Sequence, residues 1–271
     1  MKTRVISGIF LFAILLPTLI VGGDFMLAVI AVVSTAGIFE LLKAHGQHKK
    51  KISSIAYLAN VLFYLMIFME VESFFIVELI VVFLLLLVSY VISYPDYKFT
   101  DVAIPLVSFV YAGVFMSYIY RIRSIDEDGA GVYLVCLVFI CSWLCDTCAY
   151  FSGVTLGKHK AFPKLSPKKT WEGCIGGVLG ATVIGTVLAF VFSSKLTVFT
   201  YPVLEIAAIT FIGSILSIFG DLAASAIKRE NDLKDYSNLI PGHGGIMDRF
   251  DSVIFISPVI YYMINIFSKV L

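Results

Sequence analysis

The chain has 271 residues, of which 59% are hydrophobic and only 14% charged, against roughly 45–50% and about 25% in soluble domains. Its 20 Lys and Arg nearly balance 19 Asp and Glu, for a formal net charge of +1. One globular core cannot hide that much apolar surface, so a soluble domain is excluded, and the charge balance by itself points to no partner; no nucleic acid is expected.

The apolar residues come in runs near the ~18 or more that cross ~30 Å of hydrocarbon. They lie at about 5–21, 25–42, 52–69, 73–93, 102–120, 131–153, 174–192, 202–227 and 252–268. These runs predict an all-α, polytopic integral membrane protein with about nine transmembrane helices. The first follows Lys2 and Arg4, as a signal peptide would begin. Pro17, Thr18 and the Gly22-Gly23-Asp24 break offer no small-x-small cleavage site, so it is expected to stay as the first span.

Nine spans divide the loops into two sets. The N-terminus, 43–51, 94–101, 154–172 and 228–251 hold 16 of the 20 Lys and Arg (two, four, one, five and four in turn). The loops 121–129 and 193–201 and the C-terminus hold the other four. Positive charge stays on the cytoplasmic side, so the expectation is a cell-membrane protein with its N-terminus inside and its C-terminus outside. Lys43, Lys49, Lys50 and Lys51 would face the anionic inner leaflet, at about 1 kcal/mol of attraction per cation, or would only set topology.

All five cysteines lie in or beside apolar runs, where a thiol behaves as a small hydrophobe, and no disulfide framework is expected. Cys141, Cys145 and Cys148 have spacings used for iron–sulfur ligation. They sit inside an apolar span, however, and helical spacing explains their register.

Two loops on the expected cytoplasmic side are longer and more polar than the rest, Gly157 to Gly173 and Lys228 to Asp251. Around the second the chain reads Asp221, Ser225, Lys228-Arg229, Lys234-Asp235, Pro241-Gly242-His243-Gly244-Gly245 and Asp248-Arg249-Phe250-Asp251. This stretch resembles the phosphatidate cytidylyltransferase family, whose Ser, Lys-Arg, Lys-Asp, Pro-x-His-Gly-Gly and Asp-Arg-x-Asp pattern it matches at every spacing. The resemblance extends upstream through Ser166-Pro167-Lys168-Lys169-Thr170-Trp171-Glu172-Gly173 and Asp146-Thr147-Cys148-Ala149-Tyr150. It covers roughly residues 140–255. Val154 departs from the pattern, because relatives often carry a base after the glycine matching Gly153, and no phosphate contact is expected there.

The residues themselves agree with that reading. If the eighth span stays helical to its end, Asp221, Ser225 and Lys228 fall at i, i+4 and i+7 on one face. Asp248 and Asp251 are three apart and share a helix face if Asp248 lies in the first turn of the ninth span. These carboxylates are hard oxygen ligands of the kind Mg²⁺ prefers alongside phosphates, or they merely pair with Lys228, Arg229 and Arg249. Pro241 to Gly245 cannot continue a helix, and its three glycines permit left-handed backbone that turns N–H groups toward an anion; an ordinary turn is the alternative. Pro163 and Pro167 keep the Ser166 to Thr170 segment from being simply helical. Its cations suit phosphates, whereas Lys158, Lys160 and Lys164 fit a topology role.

The resemblance implies a Mg²⁺-dependent reaction, a second metal ion not being excluded, with CTP and membrane-borne phosphatidic acid as substrates. Asp221 and Asp248 are the first metal ligands expected, with Asp251 and Asp146 behind them. Asp221, Asp248, Lys228, Arg229 and His243 are the expected catalytic set. His243 either touches phosphate and assists the departing pyrophosphate or serves as a structural hydrogen-bonding residue. Ser166, Lys168, Lys169, Thr170, Ser225, Lys234, Gly244, Gly245 and Arg249 are the expected substrate contacts. On this reading residues 131–271 (spans 6–9, with loops 154–172 and 228–251) are catalytic, 1–130 add generic spans 1–5, and the whole is one membrane domain. Small residues suited to helix packing leave a homo-oligomer open. Two other classes compete: another CTP-using lipid enzyme, such as a polyprenol kinase or a cytidylyltransferase for a different lipid phosphate, and a transporter. A transporter predicts paired repeats and ionisable residues near the bilayer midplane, whereas most charges here gather at span ends and in two loops.

Overall fold

The computed structural model describes residues 2–125 and 129–268. Residues 126–128, within the loop expected at 121–129, and 269–271, which carry the C-terminal lysine of the charge count, lie outside the described residues, as do the side chains of Lys2 and Arg4.

Every apolar run becomes a helix: α1 Lys2–Val21, α2 Gly23–Ala44, α3 Lys51–Phe68, α4 Glu72–Ile92, α5 Thr100–Arg123, α6 Gly131–Leu156, α7 Trp171–Val191, α8 Pro202–Glu230 and α9 Met247–Phe267. Among the described residues, α2 to α9 are eight helices long and apolar enough to cross a membrane, and they correspond one for one to the expected spans from 25–42 onward. The apolar part of α1, Ser7–Val21, is shorter. The protein is an all-α polytopic membrane protein.

Two details differ from the sequence expectation. The polar stretch after α6 is an antiparallel hairpin, β1 Lys160–Phe162 with β2 Ser166–Thr170. Its two prolines bar a helix but leave extended backbone available. The helices also outrun the apolar runs: α8 continues through Glu230 and α9 starts at Met247, not near 252. A hydropathy run stops where hydrocarbon would stop, while helical hydrogen bonding continues into the polar layer.

The chain forms two compact units, Met1–Tyr120 with Glu230–Arg249, and Arg121–Arg229 with Phe250–Leu271. In the first, polar side chains tie apolar helices together, as expected where burial alone does not discriminate between lipid and neighbour. The Asn60 amide donates to Ser34 and Thr35 hydroxyls at 2.9 Å. Tyr64 donates to the Gly113 carbonyl, 3.1 Å, inside a π-type turn over Phe109–Val114. Lys50 pairs with Asp101 at 2.6 Å.

In the second unit, α7 presents a face of small residues to α6. A Cβ on Gly177 would crowd Ala149 and Cys145, and one on Gly180 would crowd Cys148. Gly220 likewise lets α8 meet Ser252 and Phe255 of α9. The Cys141 and Cys145 thiols donate to the carbonyls of Thr210 and Ser214 on α8, so they act as packing groups. This close assembly fixes where the carboxylates of α6, α8 and α9 stand.

Candidate active site

Each unit holds part of the expected constellation. Asp146, Ser166, Lys168, Lys169, Thr170, Asp221, Ser225, Lys228, Arg229 and Asp251 fall in the second unit, and Lys234, His243, Gly244, Gly245, Asp248 and Arg249 in the first.

In the second unit, β2 aims Lys169 at α8, where its Nζ lies 2.7 Å from Oδ2 of Asp221. Burial alone would lower the Lys169 pKa, but the charge and hydrogen bond of Asp221 and the charge of Asp146 prevail and raise it above the ordinary lysine value. Asp221 is thus paired with the hairpin through Lys169. Because α8 is helical through Glu230, Asp221, Ser225 and Lys228 do share one face. Asp146, Asp221 and Asp251 lie within one another's electrostatic reach, and Lys228 acts on Asp251. Asp251 is buried, 7% exposed, and accepts from the Ser252 N–H at 2.7 Å.

A pocket of about 330 Å³ opens here, lined by Asp146, Tyr150, Lys168, Lys169, Thr170 and Cys174 among others. Thr170 is buried and its Oγ1 accepts from the Gly173 N–H at 3.2 Å, which makes it the N-cap of α7. Lys168 is exposed on the hairpin, Arg229 is exposed at the end of α8, and Ser166 is half-buried where β2 begins. Glu172 accepts from the ring of His159 at 2.6 Å and from the N–H groups of Lys158 and His159, so it anchors the segment entering β1.

In the first unit, the segment between α8 and α9 folds around two carboxylates. Gly242 and Gly244 adopt left-handed backbone, φ 79° and 87°. The N–H groups of His243 and Gly244 bond to the Ile240 carbonyl. The Gly245 N–H donates to Asp248 Oδ2 at 2.9 Å, as does that of Tyr236 at 2.8 Å. Ile246 and Met247 donate to Glu40 at 3.0 and 2.8 Å, and the Ser237 hydroxyl does too. Of the Pro241 to Gly245 N–H groups read from sequence as an anion cradle, those of His243 and Gly244 close the turn on Ile240 and that of Gly245 meets the protein's own Asp248. Arg249 Nε donates to the His243 carbonyl, 3.0 Å. Lys234, Asp235, His243, Gly244 and Arg249 line a second pocket of about 420 Å³.

The cytidylyltransferase family model matches residues 2–267. This chain belongs to the cytidylyltransferase family. A phosphatidate cytidylyltransferase of Bacillus subtilis (strain 168) is 33% identical over 99% of both chains. One from Staphylococcus haemolyticus is 32% identical over 96% of this chain and 97% of its own, and one from Staphylococcus aureus (strain COL) is 30% identical over the same shares.

For a cytidylyltransferase, the sequence reading overlooked Glu40. It is 1% exposed at the end of α2, and the signal available was an acid closing an apolar run, which is normally paired or bound. Among the described residues no three His, Cys, Asp or Glu side chains form a ready-made metal cage. The carboxylates of Asp146, Asp221 and Asp251 are hard oxygen donors, the type that Mg²⁺ takes.

Proposed function

We propose that this chain transfers the cytidylyl group of CTP to the phosphate of phosphatidic acid, giving CDP-diacylglycerol and pyrophosphate. The observation that carries this reading is the alignment, over nearly the whole chain, with relatives named phosphatidate cytidylyltransferase. The lysine–carboxylate constellation at the ends of apolar helices supports it.

The lipid phosphate oxygen attacks the α-phosphorus of CTP. A P–O bond forms there, the bond to the β-phosphate bridging oxygen breaks, and the electron pair leaves with pyrophosphate. A phosphomonoester has a second pKa near ~6, so the nucleophile is already ionised at neutral pH and no general base is needed. The chain's task is positioning and charge neutralisation. Lys168, exposed on the hairpin, meets phosphate. Lys169 shares its charge between Asp221 and an incoming phosphate, and its paired state keeps it protonated. Lys228, Arg229, Lys234 and Arg249 neutralise the remaining phosphate charge, with Ser166 and Ser225 as hydroxyl donors. Asp221 and Asp248, with Asp146 and Asp251 behind them, would hold Mg²⁺, which when bound neutralises charge developing on the transferring phosphate. The site faces the cytoplasm, where CTP is available, and the acyl chains stay in the leaflet.

Pyrophosphate release by the purified protein in micelles containing phosphatidic acid tests this, with CTP compared against ATP, GTP and UTP and with Mg²⁺ present or chelated. Release that needs CTP, the lipid and Mg²⁺ together is expected. Release of CDP in place of pyrophosphate would identify a kinase instead.

A further inference from the structure

Helices α7 and α8 touch at one level and part at another. At Gly185 an added Cβ would collide with the Thr210 side chain, so there the two backbones are in close approach. Toward the N-terminal end of α7 they border an open groove of about 440 Å³, lined by Trp171, Ile175, Val178, Phe211, Ile215 and Phe219 among others, most of them exposed. Every lining side chain is apolar. The arrangement follows from the two-faced pattern of α7: its glycines at 173, 177 and 180 are spent on α6, and the large residues between them turn toward α8. Lining residues on α7 run from Trp171 to Leu179, about 12 Å of helix at 1.5 Å per residue.

The groove does not stand alone. Cys174 and Ile218 line both it and the pocket that holds Lys168, Lys169 and Thr170. A polar end carrying Lys168, Lys169 and Asp146 therefore adjoins an apolar length. Phe162 and Trp171, with ring centroids 5.7 Å apart, stand at the groove beside the hairpin, and a Trp at a helix start is the residue favoured at the headgroup level. A nucleotide would leave the apolar length unmatched, and a neutral lipid would leave the lysines unmatched. A chain-bearing phosphate matches both.

We propose that this groove is the acyl-chain site of the lipid substrate, with the lipid phosphate in the adjoining lysine-lined pocket. The assignment rests on the reading given under Proposed function. It makes Val178, Phe211 and Ile215 determinants of chain selectivity, residues to which that reading gives no role.

Two measurements test it, one of them independent of turnover. The full-length protein in nanodiscs is photolabelled with phosphatidic acid carrying a diazirine midway along one acyl chain, and the labelled residues are mapped by mass spectrometry. Labelling of residues 171–179 and 211–219 is expected, competed by unlabelled phosphatidic acid at least about tenfold better than by phosphatidylcholine with the same chains. Equal competition would make the groove an ordinary lipid-contact surface and overturn the assignment, as would labelling elsewhere. In the second, Ile215→Trp and, separately, Val178→Phe narrow the groove. The ratio of kcat/KM for dioleoyl over dihexanoyl phosphatidic acid is expected to fall about tenfold in at least one of them, with KM for CTP moving less than twofold. An unchanged ratio in both folded variants would overturn the assignment. Selective labelling by a protein that never releases pyrophosphate would keep the groove and refute the reaction.

Discussion

The carboxylate of Glu40 occupies the space that a side chain on Gly245 would need: a Cβ built there lies 2.5 to 2.7 Å from both Glu40 oxygens and their carbon. Gly245 is thus small because Glu40 is present, not because its backbone is left-handed, since only Gly242 and Gly244 of the three adopt positive φ. Gly245→Ala should lower stability by about 1–3 kcal/mol, the usual range for overpacking. Glu40→Ala should also destabilise, by about 1–3 kcal/mol, because it strands the Ile246 and Met247 N–H groups. In the double variant the alanine methyl has room, so the two losses should add to clearly less than their sum. Thermal unfolding in detergent closes this cycle, and strict additivity would show that the two residues are not coupled.

Asp248 has a structural duty that its proposed metal role must be separated from. Its Oδ2 accepts from both Tyr236 and Gly245, which pins the two ends of the turn between α8 and α9. Asparagine keeps an acceptor oxygen at that place, and alanine does not. Asp248→Asn should therefore melt close to the wild type yet lose at least about 100-fold in turnover, the scale seen when charge stabilisation of a transferring group is removed. Asp248→Ala should lose both. Near-normal Mg²⁺-dependent turnover in Asp248→Asn would reduce this residue to its clamp. Asp221→Asn, which keeps the shape but not the charge opposite Lys169, should fall as far in turnover.

The Lys169–Asp221 pair also fixes a pH expectation. The folded pKa of Lys169 is raised above its ordinary 10.5. Its contribution to stability is therefore complete below about pH 10.5 and is lost as pH rises through the higher folded value. Between about pH 6 and 9 this lysine does not titrate. Replacing it with methionine should lower the height of the pH–rate profile over that range, and any shift in its inflections must come from a neighbour such as Asp146, on which the lysine charge acts. A new or shifted inflection there in Lys169→Met would mean that Lys169 sets the protonation of another group at working pH.

Hydropathy made the helices from 25–42 onward legible because insertion into hydrocarbon demands long apolar helices and leaves few other solutions. What it could not supply was tertiary pairing. Asp221 and Lys169 are far apart in sequence and meet only because a hairpin folds back over α8, and proline signals there said no more than "not helix". Glu40 was hidden for a different reason. It sits in a segment that reads as a generic span, and the donors it receives come from residues about two hundred positions later. Glycines in Pro-Gly-His-Gly-Gly announced unusual backbone correctly at Gly242 and Gly244, but which anion their neighbours' N–H groups would meet depended on that distant carboxylate.

His243 can be tested by tautomer. The Ser7 hydroxyl donates its one proton to the Pro241 carbonyl at 2.8 Å, and the same oxygen lies 2.7 Å from His243 Nδ1. With that proton committed, the Ser7 oxygen can accept from Nδ1–H of the ring. Asn reproduces a donor near Nδ1, and Gln reproduces one near Nε2. If His243 serves to hold the loop, His243→Asn should retain at least about half of wild-type turnover, and Ser7→Ala should weaken turnover and lower the melting temperature together. If its role is to meet phosphate through Nε2, His243→Gln should be the better variant and His243→Asn should lose about tenfold or more, within the range of a lost general acid or hydrogen-bond donor. The structure favours the first outcome, because His243 Nδ1 is turned toward Ser7 of α1, 2.7 Å away. Steady-state rates of the two variants at saturating CTP, read beside their melting curves, decide between a hinge that shapes the pocket and a side chain that works inside it.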